Sequence, residues 1–142
     1  MAILVHTDGG CRQTRGGWAY SIVHGNGLIE ERSGSQQDTT NNRMELTAAI
    51  EALTAIAPGQ MVIISSDSQY VVKGVMEWSP KWIKNHWRTA NGKDVLNRDL
   101  WERLMQMVQQ HNVKFVWVRG HNGDAQNERV DQLATAAINA CP

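Results

Sequence analysis

The chain has 142 residues, 42% hydrophobic and 20% charged, a size at which one domain buries ~70% of the surface its unfolded form exposes. No apolar run approaches the ~20 residues that span a bilayer, and the short apolar start Met1-Ala2-Ile3-Leu4-Val5-His6 lacks the basic leader of a signal peptide. Lysine plus arginine balances aspartate plus glutamate, 14 against 14, which excludes a globally basic nucleic-acid binder and confines any basic surface to a local patch.

Residues 3–7 form an unbroken apolar or β-branched run, the mark of a strand covered on both faces, and it stops at Asp8-Gly9-Gly10. Two more strands follow at 18–24 and 28–33, joined by Gly25-Asn26-Gly27, whose tolerance of positive φ suits a hairpin. From 42 to 57 the period becomes helical, with Leu46, Ala49, Ile50, Leu53 and Ala57 on one stripe before Pro58-Gly59 ends the element. A fully apolar strand at 61–64 closes on Ser65-Ser66-Asp67, and a helix is expected over 68–76. The stretch 78–93 carries tryptophans and lysines, and Leu96, Leu100, Leu104, Met107 and Val108 then mark a further helix. A last apolar strand at 113–118 ends at Arg119-Gly120-His121, and Val130, Leu133, Ala134, Ala137, Ile138 and Cys141 line a final helix. A meander followed by strand-helix units implies an α/β fold, a mixed five-stranded sheet flanked by helices.

One domain over 1–142 is expected. Cys11 and Cys141 belong to no metal-spaced pair, so a reducing, cytoplasmic setting is the simplest reading and neither is assigned a disulfide.

Asp8, Asp67 and His121 each stand where an apolar strand ends, and open α/β sheets place ligands beyond the carboxyl ends of their strands. At about 100° per residue, Glu45 lies roughly 100° from the centre of the first helix's stripe, at the core border, whereas Glu51 lies roughly 140° away and is expected to face water. Asp131 sits roughly 90° from the last helix's stripe, again at the border. Each acid has an ordinary structural explanation: Asp67 as a cap for the helix beginning at Ser68, Asp8 in a turn, Glu45 and Asp131 as solvated flanks, Glu128 as favourable charge at a helix N-terminus. Drawn together, however, they would raise one another's pKa values unless a cation intervened. Oxygen-only ligation suits Mg²⁺ or Mn²⁺ and fits zinc poorly.

The strings Thr7-Asp8-Gly9, Thr39-Thr40-Asn41-Asn42-Arg43-Met44-Glu45-Leu46 and Ser66-Asp67-Ser68-Gln69-Tyr70-Val71, then Val118-Arg119-Gly120-His121 and Asn127-Glu128-Arg129-Val130-Asp131, resemble the signatures of the type 1 ribonuclease H family, in order and over essentially the whole chain. The resemblance implies a monomeric endonuclease that hydrolyses the RNA strand of an RNA/DNA hybrid, leaving 5′-phosphate and 3′-hydroxyl ends. It implies two Mg²⁺ ions, with Mn²⁺ an alternative. Asp8 would bridge them, Glu45 and Asp67 would complete one coordination sphere and Asp131 the other. His121 matches a loop histidine that assists proton transfer or product release. Thr40, Asn41, Asn42 and Gln69 match residues contacting base edges, 2′-hydroxyls or phosphate, with Cys11 beside the RNA strand. Trp78, Lys81 and Lys84 fall in a basic protrusion that holds the DNA strand, although Trp78 and Trp82, four apart, are equally explained by helix packing.

Two departures stand out. The segment from Cys11 to Gly17 is short and lacks the family's substrate-touching asparagine, and Ile83 and Asn85 replace basic residues common in the protrusion. Two rivals were weighed, a DNA-acting nuclease of the same fold and a non-catalytic nucleic-acid-binding module. Glu45 within Asn41-Asn42-Arg43-Met44-Glu45 argues against the first, and the presence of all four acids against the second.

Overall fold

The computed structural model describes residues 2–120 and 124–142. A five-stranded sheet has the order β3-β2-β1-β4-β5, with β1 at Ile3–Arg12, β2 at Arg15–Val23, β3 at Ile29–Gln36, β4 at Met61–Ser66 and β5 at Asn112–Trp117. The meander β1-β2-β3 is antiparallel, and β1, β4 and β5 run parallel. Helix α1 (Asn41–Thr54) covers one face, packing Leu46, Ile50 and Leu53 against Val5, Tyr20, Ile22 and Ile64. Helix α5 (Ala125–Ala140) covers the other, where Val130 and Ala134 meet Ala19.

β1 is longer than its apolar run suggests. It continues through Asp8-Gly9-Gly10 to Arg12, and only the two residues Gln13-Thr14 separate it from β2, with Gln13 at φ 59°. Pairing of β1 with β4 extends only as far as Thr7↔Ser66, whereas pairing with β2 continues to Arg12↔Arg15. Beyond Thr7 the edge of β1 therefore opens onto a cleft. Gly9 is needed there because a Cβ would run into the backbone of Met44 and Glu45, so its absence lets α1 lie directly on the strand.

The helix expected at 68–76 runs further. α2 (Gln69–Lys73), a π-helical turn (Gly74–Trp78) and α3 (Ser79–Lys84) follow one another without a break. Gly74 lies flat against the ring of the fully buried Trp101, leaving no room for a side chain. Trp101 belongs to α4 (Arg98–Gln109), whose buried face is Leu100, Trp101 and Leu104. Leu96 does not join that stripe: it precedes the helix and is 74% exposed, because the chain turns at Asn97 with φ 62°. Glu51 is half-buried rather than fully solvated. No helix among the described residues is long and apolar enough to cross a membrane.

Gly9→Ala should lower the unfolding free energy by ~1–3 kcal/mol through overpacking against the α1 backbone, measured by urea denaturation; an unchanged midpoint would contradict this close approach.

Candidate active site

Four acids reach the cleft from four different elements. Asp8 sits in β1 opposite Ala19 and is buried. Glu45 lies in the second turn of α1 and is 6% exposed. Asp67 is the first residue beyond β4, half-buried, with its backbone carbonyl accepting from the Trp117 indole at 3.1 Å. Asp131 projects from α5 toward Asp8 and is half-buried. Carboxylate oxygens of Asp8, Glu45 and Asp67 all lie within 4.8 Å of one another.

The cap explanation for Asp67 fails. Ser68 caps α2 through its hydroxyl, which accepts from Val71 N at 3.2 Å, while Ser66 Oγ accepts from Ser68 N at 3.0 Å. The Asp67 carboxylate is left directed at the cleft, where Gly120 approaches it so closely that a Cβ would stand 3.0 Å from Oδ2. Thr40, by contrast, does cap its helix, its hydroxyl accepting from Arg43 N at 3.2 Å.

Burial and crowding govern the electrostatics. Burial is the largest influence on Asp8, followed by the charge of Asp67 and a hydrogen bond to Asp131, and together they push its pKa up to about 8. Glu45 is held well above the usual carboxylate range, first by burial and then by the charges of Asp8 and Asp67. Glu45 Oε1 is buried with no hydrogen-bond partner among the described residues. A buried carboxyl oxygen beside two other carboxyl groups is suited to ligating a hard divalent cation.

These acids line a cavity of about 550 Å³ that also takes in Cys11, Asn41, Asn42 and Gln69. Of the expected substrate contacts, Thr40, Trp78, Lys81 and Lys84 lie outside it. Trp78 packs on Tyr70 and Trp82, with ring centroids 6.0 and 5.8 Å apart, while staying 38% exposed, and the two lysines are exposed on α3. His121 lies outside the described residues. Two lining residues carried no role in the sequence reading. Arg12 is, among the described residues, the cavity's only cationic side chain, and it reaches the cavity because β1 continues past its apolar run to Arg12. Tyr70 was quoted in a motif string without a role; its hydroxyl accepts from the Trp101 indole at 2.8 Å and from Asn97 Nδ2 at 3.1 Å, bracing the cavity wall against α4. Arg43 ties α1 to α4 through paired hydrogen bonds to Asp99 at 3.0 and 2.7 Å.

The model of the RNase H family matches residues 1–139. The chain belongs to the ribonuclease H family. A ribonuclease H from Geotalea uraniireducens is 47% identical over 140 residues, covering 97% of this chain and 95% of that protein. One from Hydrogenovibrio crunogenus is 48% identical over 138 residues, covering 96% and 94%. Among solved structures, LC9-RNase H1, a type 1 ribonuclease H with the type 2 active-site motif, superposes with a TM-score of 0.87 at 33% identity, covering 99% of this chain and 74% of that one. The expected family and the ribonuclease H-like fold are both borne out.

The acid cluster should make stability fall with pH when no cation is present. The Asp8 carboxyl ordinarily titrates at 3.8 and here at about 8, so between those values the folded chain keeps a proton that the unfolded chain has released. Folding stability then declines across that interval, by at most ~1.4 kcal/mol per pH unit for one group, and Glu45, also raised, adds a decline of the same sign. Asp99 and Asp124, whose pKa values are lowered by Arg43 and by backbone N–H groups respectively, act only below the ordinary carboxylate range and leave this window alone. Urea midpoints in EDTA should drop between about pH 5 and about pH 8, and saturating Mg²⁺ should flatten the drop; a level or rising cation-free profile would contradict the burial of Asp8.

Proposed function

We propose that this ribonuclease H cuts the RNA strand of an RNA/DNA hybrid with Asp8, Glu45, Asp67 and Asp131 as the ligands of two divalent cations. The observation that carries the reading is the convergence of Asp8, Glu45 and Asp67 within 4.8 Å, with Glu45 Oε1 buried and without a hydrogen-bond partner among the described residues. Mg²⁺ is the expected ion and Mn²⁺ the alternative, since every donor is a carboxylate oxygen. When bound, paired ions lower the pKa of a water and neutralise charge on the leaving oxygen of an in-line displacement.

The residues divide the remaining work. Asp8, which interacts with both Asp67 and Asp131, would be the acid shared between the two ions. Glu45 and Asp67 complete one ligand set and Asp131 the other. Asp8 and Glu45, whose pKa values are raised, must surrender their protons to bind a cation, so cation binding releases protons at neutral pH. Attack by water on the phosphorus breaks the bond to the 3′-oxygen, and His121 is assigned to proton delivery or product release. Asn41, Asn42 and Gln69 supply donors suited to 2′-hydroxyls and base edges along the minor groove, and Cys11 lines the RNA side. Thr40 serves the substrate indirectly, by fixing the helix turn that carries Asn41 and Asn42. Arg12 meets backbone phosphate, and Lys81 and Lys84 contribute a more distant attraction beside Trp78. One domain over residues 1–142, acting as a cytoplasmic monomer, completes the reading.

Two experiments test it. Incubated with Mg²⁺ or Mn²⁺, the protein should cleave the RNA of a labelled hybrid and spare duplex DNA and duplex RNA, and Asp8→Asn should remove nearly all activity while still folding. Cleavage of duplex DNA at the same rate would transfer the assignment to a DNA-acting nuclease; an active Asp8→Asn would dissolve the site. Separately, hybrid affinity in Ca²⁺ without turnover should fall with salt, and Arg12→Ala should make the slope of log affinity against log salt shallower by ~1, one phosphate contact. An unchanged slope would remove Arg12 from the interface.

A further inference from the structure

α5 must carry Asp131 to Asp8 across a sheet face that offers little apolar surface to grip. Among the described residues, Ala19, Val130 and Ala134 form a small buried cluster there, with Leu133 at its margin, and Ala137 and Ile138 are buried nearer the helix's C-terminal end. Gly17 lets the helix lie close, since a Cβ would stand 2.5 Å from Ala134 O. Such contacts fix the height of α5 above the sheet. Ile138 seats the C-terminal end over Gly10 and Gly17, but around Asp131 the small apolar contacts leave the helix's axial position and rotation less constrained.

One row of the sheet supplies what is missing. Glu31 of β3, Ser21 of β2 and His6 of β1 are direct cross-strand neighbours. Each meets a different residue at the start of α5. Arg129 donates to both Glu31 carboxylate oxygens at 3.0 and 3.2 Å, the Ser21 hydroxyl donates to Gln126 Oε1 at 2.9 Å, and His6 Nε2 lies 3.6 Å from Asp124 Oδ2. Asp124 is itself the N-cap, accepting from Gln126 N and Asn127 N at 2.9 and 3.1 Å. The next row of the same face is Ser33, Ala19 and Asp8, so the polar row lies one step from the reacting acids.

We infer that the row Glu31-Ser21-His6 is a positioning device, setting the register of α5 so that Asp131 stands beside Asp8. The inference rests on Asp131 being a cation ligand. Energetics favour position over stability as the purpose. The Arg129–Glu31 pair is largely exposed and worth little. His6 is nearly buried, with Nδ1 lacking a hydrogen-bond partner among the described residues, which costs stability that an apolar residue would not. Directional polar contacts on three strands accept one placement of the helix, whereas an apolar row would accept several. Groups that orient a ligand from behind typically change cation affinity about tenfold or more when removed.

His6→Leu and Gln126→Leu keep bulk and remove direction. In nucleic-acid-free protein, the Mg²⁺ concentration that half-shifts the Asp8 carboxyl-carbon NMR signal should rise about tenfold in each. The Mg²⁺ needed for half-maximal hybrid cleavage should rise in parallel, with cooperative thermal unfolding retained. Asp124→Asn, which preserves the cap, should respond less than His6→Leu. Unchanged half-saturation in the folded variants, whatever their Tm, would overturn the inference, and Gln126→Leu decides alone if His6→Leu does not fold. Asp131→Asn is measured alongside. Should it leave the cation response intact, the ligand assignment fails and this inference with it; should it weaken the response while His6→Leu and Gln126→Leu do not, the inference alone fails.

Discussion

Carboxylates do not gather in a low-dielectric site unless something positive joins them. Asp8 and Glu45 are almost wholly buried, Asp67 is within 4.8 Å of both, and Asp131 closes on Asp8 from the other face of the sheet. Each acid alone would be ionised at neutral pH; together they hold protons that a cation would displace. The fold is organised around making this crowding possible. β1 overshoots β4 and leaves an open edge, Gly9 lets α1 rest on the strand backbone, Ser68 takes over capping so that Asp67 is spared, and the polar row beneath α5 aims Asp131.

Charge is distributed to match. The chain is neutral overall, yet four of its 14 acids line one cavity whose only cation, among the described residues, is Arg12. Lys81 and Lys84 stand apart on α3. That helix is held by an aromatic stack, with Trp82 5.1 Å from the Trp101 ring and 5.8 Å from that of Trp78, so rigidity of the outer segment derives from the same core that seats Tyr70 in the cavity wall. An acidic pocket beside an exposed basic surface suits a polyanion that must be held by its flanks while cations neutralise it at the centre.

What the sequence disclosed follows from periodicity. The helical period placed Glu45 and Asp131 at core borders, and both reach the cleft; it placed Glu51 further out, and Glu51 stays away from the cavity. The motif strings pointed to one shared site and to the family. Other features depend on contacts distant in sequence. Asp8-Gly9-Gly10 reads locally as a turn, but Gly9 is small because α1 presses on it, so the strand continues. The hairpin at Gln13-Thr14 contains no glycine or asparagine to announce it. Leu96 carries the right period for α4 but falls before the left-handed turn at Asn97. Ser21, His6 and Glu31 look unremarkable singly and form a row only once three strands are in register.

The central claim is that burial and mutual repulsion, relieved by a divalent cation, define this site. Carboxyl-carbon NMR of Asp8 against pH, with and without Mg²⁺, tests it most directly. The account predicts a cation-free midpoint near the value of about 8 set by burial and by Asp67, moving down when Mg²⁺ is added. A midpoint in the ordinary carboxylate range, indifferent to the cation, would contradict it.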